Sequence, residues 1–286
     1  MLFTQIATLS LAVLTAAVPV EKRSNTCKFP TDQGLIAVTP SKSNGGWAMS
    51  PDQECTAGSY CPYACPAGQL MAQWDPSATG YSYPSSMNGG IKCEADGTLT
   101  KPMSDNDYCQ DGEGTLKAKN TADKEVAFCQ TVLPGNEAML IPTKVKASTE
   151  NDLAVPGPNY YAGTAAHYYV NSPGYSTKEA CVWGDSSEPK GNWAPYVAGA
   201  NMDDSGNTFV KIGWNPKYVE DFNNKTPSFG IRITCEDESK CNGLKCEIDP
   251  SNFNQISGSG SNSLGASYCV VTVQDKANAK IEVFSA

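Results

Sequence analysis

One stretch of the chain, SPDQECTAGSYCPYACPAGQLMAQWDP from Ser50 to Pro76, carries an aspartate near each end: Asp52 follows Pro51 and Asp75 precedes Pro76. Two carboxyl groups, one protonated and one ionised, can break a glycosidic bond by paired acid and base or acid and nucleophile action. A separation of about 5–5.5 Å suits retention of configuration and one of about 6.5–9.5 Å suits inversion. Asp52 and Asp75 are therefore the candidate catalytic pair, with Glu54, Glu94, Asp96 and Asp185 in reserve. An aspartate beside a proline is equally an ordinary turn signal.

Aromatic residues crowd the same region: Trp47, Tyr60, Tyr63, Trp74, Tyr81 and Tyr83, followed later by Trp183, Trp193 and Tyr196 in VWGDSSEPKGNWAPY. Gln53, Gln73, Asn88 and Asn192 stand close to them in the sequence. A sugar ring offers an apolar C–H face and a rim of hydroxyls, which aromatic faces flanked by amides and carboxylates complement. Trp47, Tyr60, Tyr63, Trp74, Asn88 and Trp193 form the candidate carbohydrate-binding set. The competing reading is that rings beside cysteines pack on disulfides as small cores.

Twelve cysteines are present: Cys27, Cys55, Cys61, Cys65, Cys93, Cys109, Cys129, Cys181, Cys235, Cys241, Cys246 and Cys269. The chain opens with MLFTQIATLSLAVLTAAVPV, which has the apolar run and small-residue end of a secretory signal cleaved near Ala17. A dibasic pair, Lys22 and Arg23, follows, so the mature chain is expected to begin near Ser24. In an oxidising compartment an even cysteine count predicts six disulfides of unreadable connectivity. CPYAC resembles a short-spaced zinc pair, but a secreted chain with one histidine is expected to hold no metal, and no motif requires a cofactor.

Other chemistries are narrowed in the same way. The only histidine, His167, lies in the strand-like AHYYV, and no GxSxG elbow accompanies it. The formal charge of −9 and the lack of basic clusters argue against nucleic acid and anionic membranes as partners. NKT at Asn224 is a glycosylation sequon, followed by a proline.

The elements that must position these residues read mostly as strands. In TFVKIGW, Val210, Ile212 and Trp214 share a face; in SFGIRITC, Phe229, Ile231, Ile233 and Cys235 do so while Arg232 and Thr234 face away. YCVVTVQDKANAKIEVF reads as a terminal hairpin turning at Lys276 to Ala279. Ala122, Val126, Cys129 and Val132 or Leu133 recur at helical spacing after a cap at Asn120 or Thr121, which predicts a helix. The fold class is all-β, with packed sheets. Residues 1–23 are expected to be signal and propeptide, 24–155 a cysteine-rich β region, and 156–286 a β-sandwich region, the boundary falling at VPGPN. Seven cysteines precede that boundary and five follow it, so full pairing requires at least one bridge across it.

The segments WAMSPDQEC, SYCPYACPAGQLMAQWDP, SMNGG, CVWG, GNWAPYVAGAN and WNP resemble the fungal SUN family of secreted wall and septation proteins, with the match running from Cys27 to the C-terminus. The resemblance implies a thaumatin-like, disulfide-rich β-sandwich with a second, smaller Ig-like sandwich. It also implies a glycoside hydrolase role, β-glucosidase or β-1,3-glucanase, in remodelling β-1,3-glucan during septation and wall morphogenesis. A non-catalytic protein that grips glucan or chitin oligosaccharides and loosens walls is the alternative, and a structural, defence-like role is a third reading. The chain passes from Arg23 to Cys27 without the long Ser/Thr-rich segment of many relatives, which favours free secretion over wall retention.

Overall fold

Alternation of apolar and polar residues builds most of the molecule, whose computed structural model describes residues 26–78, 88–135, 138–223, 225–258, 260 and 265–286. The expected leader at 1–23, Tyr81, Tyr83 and the sequon at Asn224 lie outside those residues. The chain is all-β with few and short helices, the longest being Pro216–Asp221.

Seven strands form one antiparallel sheet, in spatial order Cys241–Asn242, Tyr268–Val273, Thr208–Trp214, Tyr196–Met202, Ala166–Val170, Val126–Val132 and Ile141–Val145. Five strands form a second: Glu247–Ile248, Phe229–Cys235, Ala279–Ser285, Leu116–Asn120 and Glu150–Asp152. Period-2 patterning decides which side of each strand is buried. Val210, Ile212 and Trp214 of the first sheet and Phe229, Ile231 and Ile233 of the second all enter one apolar core. The sheets are also stitched by hydrogen bonds: Tyr196 donates its phenol to the Phe229 carbonyl at 2.8 Å, and the Thr115 and Thr208 hydroxyls meet at 2.8 Å.

A smaller unit precedes the sandwich. Strands Tyr60–Cys61, Ile91–Cys93 and Leu99–Thr100 make one small sheet, and Gln69–Met71 pairs with Cys109–Asp111. Strands this short bury too little to hold themselves, so half-cystines fill their core: Cys27, Cys55, Cys61, Cys65 and Cys93 pack with Trp47, Met49, Tyr63 and Ile91. The bridges Cys27–Cys93, Cys55–Cys61 and Cys65–Cys109 lie within this unit. Cys129–Cys181, Cys235–Cys241 and Cys246–Cys269 lie within the sandwich, so no bridge ties the two cores together. Cys129–Cys181 is the one that crosses residues 155/156. Both sheets contain strands from both sides of that point, those before it grouped at one end of each sheet.

Two sequence expectations fail. The segment expected as a helix is the strand Val126–Val132. Val126, Phe128 and Val132 enter the main core, while Ala127 and Cys129 pack beneath Ala180 and Cys181 on the opposite face. A strand covered on both faces loses its polar alternation and can mimic a helical pattern. The terminal hairpin is also absent: Tyr268–Val273 pairs with Thr208–Trp214, whereas Ala279–Ser285 crosses to the other sheet. There it lies parallel to Leu116–Asn120. Each of the two strands finds a longer partner elsewhere, and the segment between them carries Asp275 and Lys276 at positive φ.

Candidate functional site

The seam between the small unit and the sandwich gathers four of the sequence-nominated residues. Tyr60 sits on the strand paired with Ile91–Cys93, opposite Lys92, whose Nζ lies 4.3 Å from the centre of its ring. Trp74 and Asp75 follow the strand Gln69–Met71; Trp74 bridges to Gly89, and the Asp75 amide donates to the Asn88 carbonyl at 2.7 Å. Gly90 makes this approach possible. It has φ of 116°, and a Cβ there would fall 1.9 Å from the Cys61 carbonyl oxygen.

The side chains converge by specific contacts. The Tyr60 phenol and the Asp75 carboxylate are close enough that each shifts the other's ionisation, and the Tyr161 phenol lies beside the Asn88 amide. The Trp74 indole meets Tyr160 and Tyr161 edge-on, with ring centres 5.5 and 5.9 Å apart. Tyr160 is buried and donates to the Met71 carbonyl at 2.9 Å, anchoring the seam. Tyr161, which comes from the sandwich side, was not nominated from the sequence; the signal available was the paired aromatics directly after the PGPN turn.

Asp75 is held below the usual carboxylate range, first by the Ser77 hydroxyl and amide at 2.7 and 2.9 Å, then by Tyr60 and Lys92. The Ser77 contact alone is not distinctive. Asp96, Asp185, Asp203, Asp237 and Asp249 accept the same kind of hydrogen bond from an amide two residues ahead. What separates Asp75 is the phenol of Tyr60 and the indole next to it. Tyr60 in turn is pushed above the ordinary phenol value, by burial first and then by the Asp75 charge, with Glu94 adding to it.

The remaining nominated residues divide by burial. Trp47 is 1% exposed, donates to the Cys27 carbonyl at 3.1 Å and packs edge-on with Phe29. Tyr63 is also 1% exposed and donates to the Tyr108 carbonyl. Both rings belong to the disulfide core, so neither face can reach a ligand, which corrects the sequence expectation for them. Gln73 is spent on the backbone, its amide donating to Met103, Asn106 and Asp107 carbonyls. Trp193 stands apart on the turn Gly191–Trp193, where its indole donates to Asp221 at 2.6 Å. Asp52 is exposed in the turn that Gln53 and Ser50 close, and no contact among the described residues joins it to Asp75. Each carboxyl group among the described residues whose pKa moves is moved downward.

Three sulfurs, of Cys27, Cys55 and Cys93, lie within 4.8 Å of one another. They come from two adjacent bridges, Cys27–Cys93 and Cys55–Cys61, and oxidised sulfur lacks the thiolate that binds a metal.

Comparison with known proteins gives a consistent result. The sequence profile described as "Beta-glucosidase (SUN family)" matches residues 22–271. An uncharacterized protein of Saccharomyces cerevisiae is 62% identical over 272 residues, covering 92% of this chain and 77% of that protein. Two probable secreted beta-glucosidases of Schizosaccharomyces pombe are similar: one is 52% identical over 90% of this chain and 23% of its own length. The other is 34% identical over 81% of this chain and 55% of its own length. The chain thus spans well under two thirds of the two that carry an activity in their names. No solved structure matches.

Proposed function

The chain belongs to the SUN family, and from that premise we propose that it is a secreted protein that binds and remodels β-1,3-glucan of the cell wall, using the Tyr60–Trp74–Asp75–Asn88–Tyr161 cradle. The observation that carries the reading is the ionised Asp75 carboxylate beside the Tyr60 phenol and the Trp74 indole. The Trp74 indole, braced edge-on by the buried Tyr161, and the Tyr60 ring offer apolar faces to the C–H side of a glucose ring, while Asn88 and Asp75 present hydrogen-bonding groups to its hydroxyls. Asp75, kept ionised, has the state required of a nucleophile or base in glycoside hydrolysis. It does not have the state required of the acid.

A second reading is that the cradle grips β-glucan or chitin oligosaccharides without cutting them, loosening walls or assisting lytic enzymes. It is favoured by the downward direction of the carboxyl shifts, since a general acid needs its proton at working pH. Purified protein incubated with β-1,3-glucan and chitin oligomers separates the two. Release of sugar that disappears in Asp75→Asn supports the hydrolase, and sedimentation with the polymer without product supports the binder. Failure of both polymers to retain the protein rejects both. Secretion, septation and wall retention are part of the same proposal, tested by N-terminal sequencing of protein recovered from medium and from wall fractions.

A further inference from the structure

The outer faces of the two sheets are built differently. On the five-stranded sheet, Arg232 and Lys119 pair with Glu282, and Lys280 pairs with Glu150, as suits a solvated surface. The seven-stranded sheet instead turns outward a trough of 480 Å³, within the range of about 300–1,000 Å³ usual for small-molecule sites. Its register places Thr131, His167, Gly199, Lys211 and Val270 in one row across five strands. Tyr169, Val197, Gly213 and Tyr268 form the next row, with Asn201 and Phe209 on the other side. Gly199 lets the His167 ring lie across the neighbouring strand, since a Cβ at 199 would meet the imidazole Cδ2 at 3.1 Å.

We propose that this trough is a second saccharide site, separate from the Asp75 cradle, which takes a pyranose carrying an anionic group, carboxylate or phosphate, at Lys211. The rings of Tyr169 and Phe209 suit the C–H faces of such a sugar, and Thr131, Asn201 and His167 suit its hydroxyls. The anionic group follows from charge. The Lys211 ammonium lies 4.0 Å from the centre of the Tyr268 ring and makes no ion pair among the described residues. No acidic side chain among the described residues lines the trough. Burial holds Lys211 below the ordinary lysine value, and burial, then the Lys211 charge, lowers His167. A bound anion would relieve both. The net charge of −9 does not oppose this, because exposed charges beyond about 8 Å are screened at physiological salt.

His167 is the only histidine in the chain, so its ring signals report on the trough alone. The full-length protein is titrated with glucuronic acid, with glucose 6-phosphate and with a neutral β-1,3-linked glucose trimer, and the imidazole resonances are followed. One or both anionic probes should shift them and raise the His167 pKa, the responding probe identifying carboxylate or phosphate as the preferred group. Lys211→Met should weaken that binding about tenfold or more, and Lys211→Arg should retain most of it. Asp75→Asn should leave it unchanged, which separates this site from the cradle whatever becomes of the glucan reading. No response to either anionic probe, or equal binding of the neutral trimer and no loss in Lys211→Met, overturns the proposal.

Discussion

The Tyr60 phenol and the Asp75 carboxylate perturb each other's ionisation across the small unit, Tyr60 held by the short pairing of Tyr60–Cys61 with Ile91–Cys93 and Asp75 by its amide's hydrogen bond to the Asn88 carbonyl. The phenol favours the carboxylate, and the negative charge of Asp75 disfavours the phenolate. Replacing Asp75 by asparagine should therefore lower the Tyr60 pKa while leaving the fold intact, because Asp75 lies at the surface. Ultraviolet titration of the phenol, compared with that of Tyr60→Phe, reads the shift; an unmoved titration would remove the contact from consideration.

Function that depends on ionised Asp75 should survive into acid. Its pKa lies below the ordinary aspartate value of about 3.9, so the carboxylate is fully charged above that pH and is lost only as pH falls through the lower, folded value. Glucan retention or sugar release measured from neutral to acid pH should hold steady to about pH 4 and then decline. A midpoint near pH 5 or 6 would assign the controlling group elsewhere.

Trp47 and Trp74 should behave as opposites despite their similar settings in sequence. Trp47→Ala empties part of the disulfide core and should cost about 3–5 kcal/mol in denaturant unfolding, with glucan affinity of the folded fraction unchanged. Trp74→Ala should weaken glucan retention about fivefold, equivalent to about 1 kcal/mol.

Glu282 is almost fully buried on the five-stranded sheet, and although burial opposes its charge, Lys119 and Arg232 prevail and hold it below the ordinary glutamate value. Arg232→Met should destabilise the protein by about 1–3 kcal/mol at neutral pH. The sign follows from linkage: the stabilisation is complete above the unfolded value of about 4.3 and disappears as pH falls through the folded one. Unfolding curves of wild type and variant should converge in acid.

Reduction should loosen the molecule unevenly. The small unit depends on Cys27–Cys93, Cys55–Cys61 and Cys65–Cys109 with strands of two or three residues, whereas the sandwich has strands of up to seven and a shared core. Hydrogen exchange under reducing conditions should rise first in residues 26–113, and the sandwich strands should keep their protection.

Much of this architecture is written in local patterns. Thr208–Trp214 and Phe229–Cys235 were legible because each has one wet face, which leaves polar residues at every second position. Val126–Val132 was not, because Ala127 and the half-cystine Cys129 on its second face are covered by Ala180 and Cys181 and carry no polar mark. The strands at the end of the chain were legible individually, but their partners lie 30 to 163 residues away and leave no local trace. At the candidate site, Trp74 and Trp47 both stand near cysteines, and only the packing tells which ring closes a core and which lies at a seam. Tyr161 and Lys211 became visible only when register placed them beside residues distant in sequence.

The middle strand of the five-stranded sheet, Ala279–Ser285, is made after its four companions. Until the ribosome has delivered it, Phe229–Cys235 and Leu116–Asn120 have an unpaired edge facing each other across a gap, and the nascent chain must be shielded from association with its neighbours. Truncation before residue 279 should therefore yield a translation product retained by chaperones, not a smaller secreted protein.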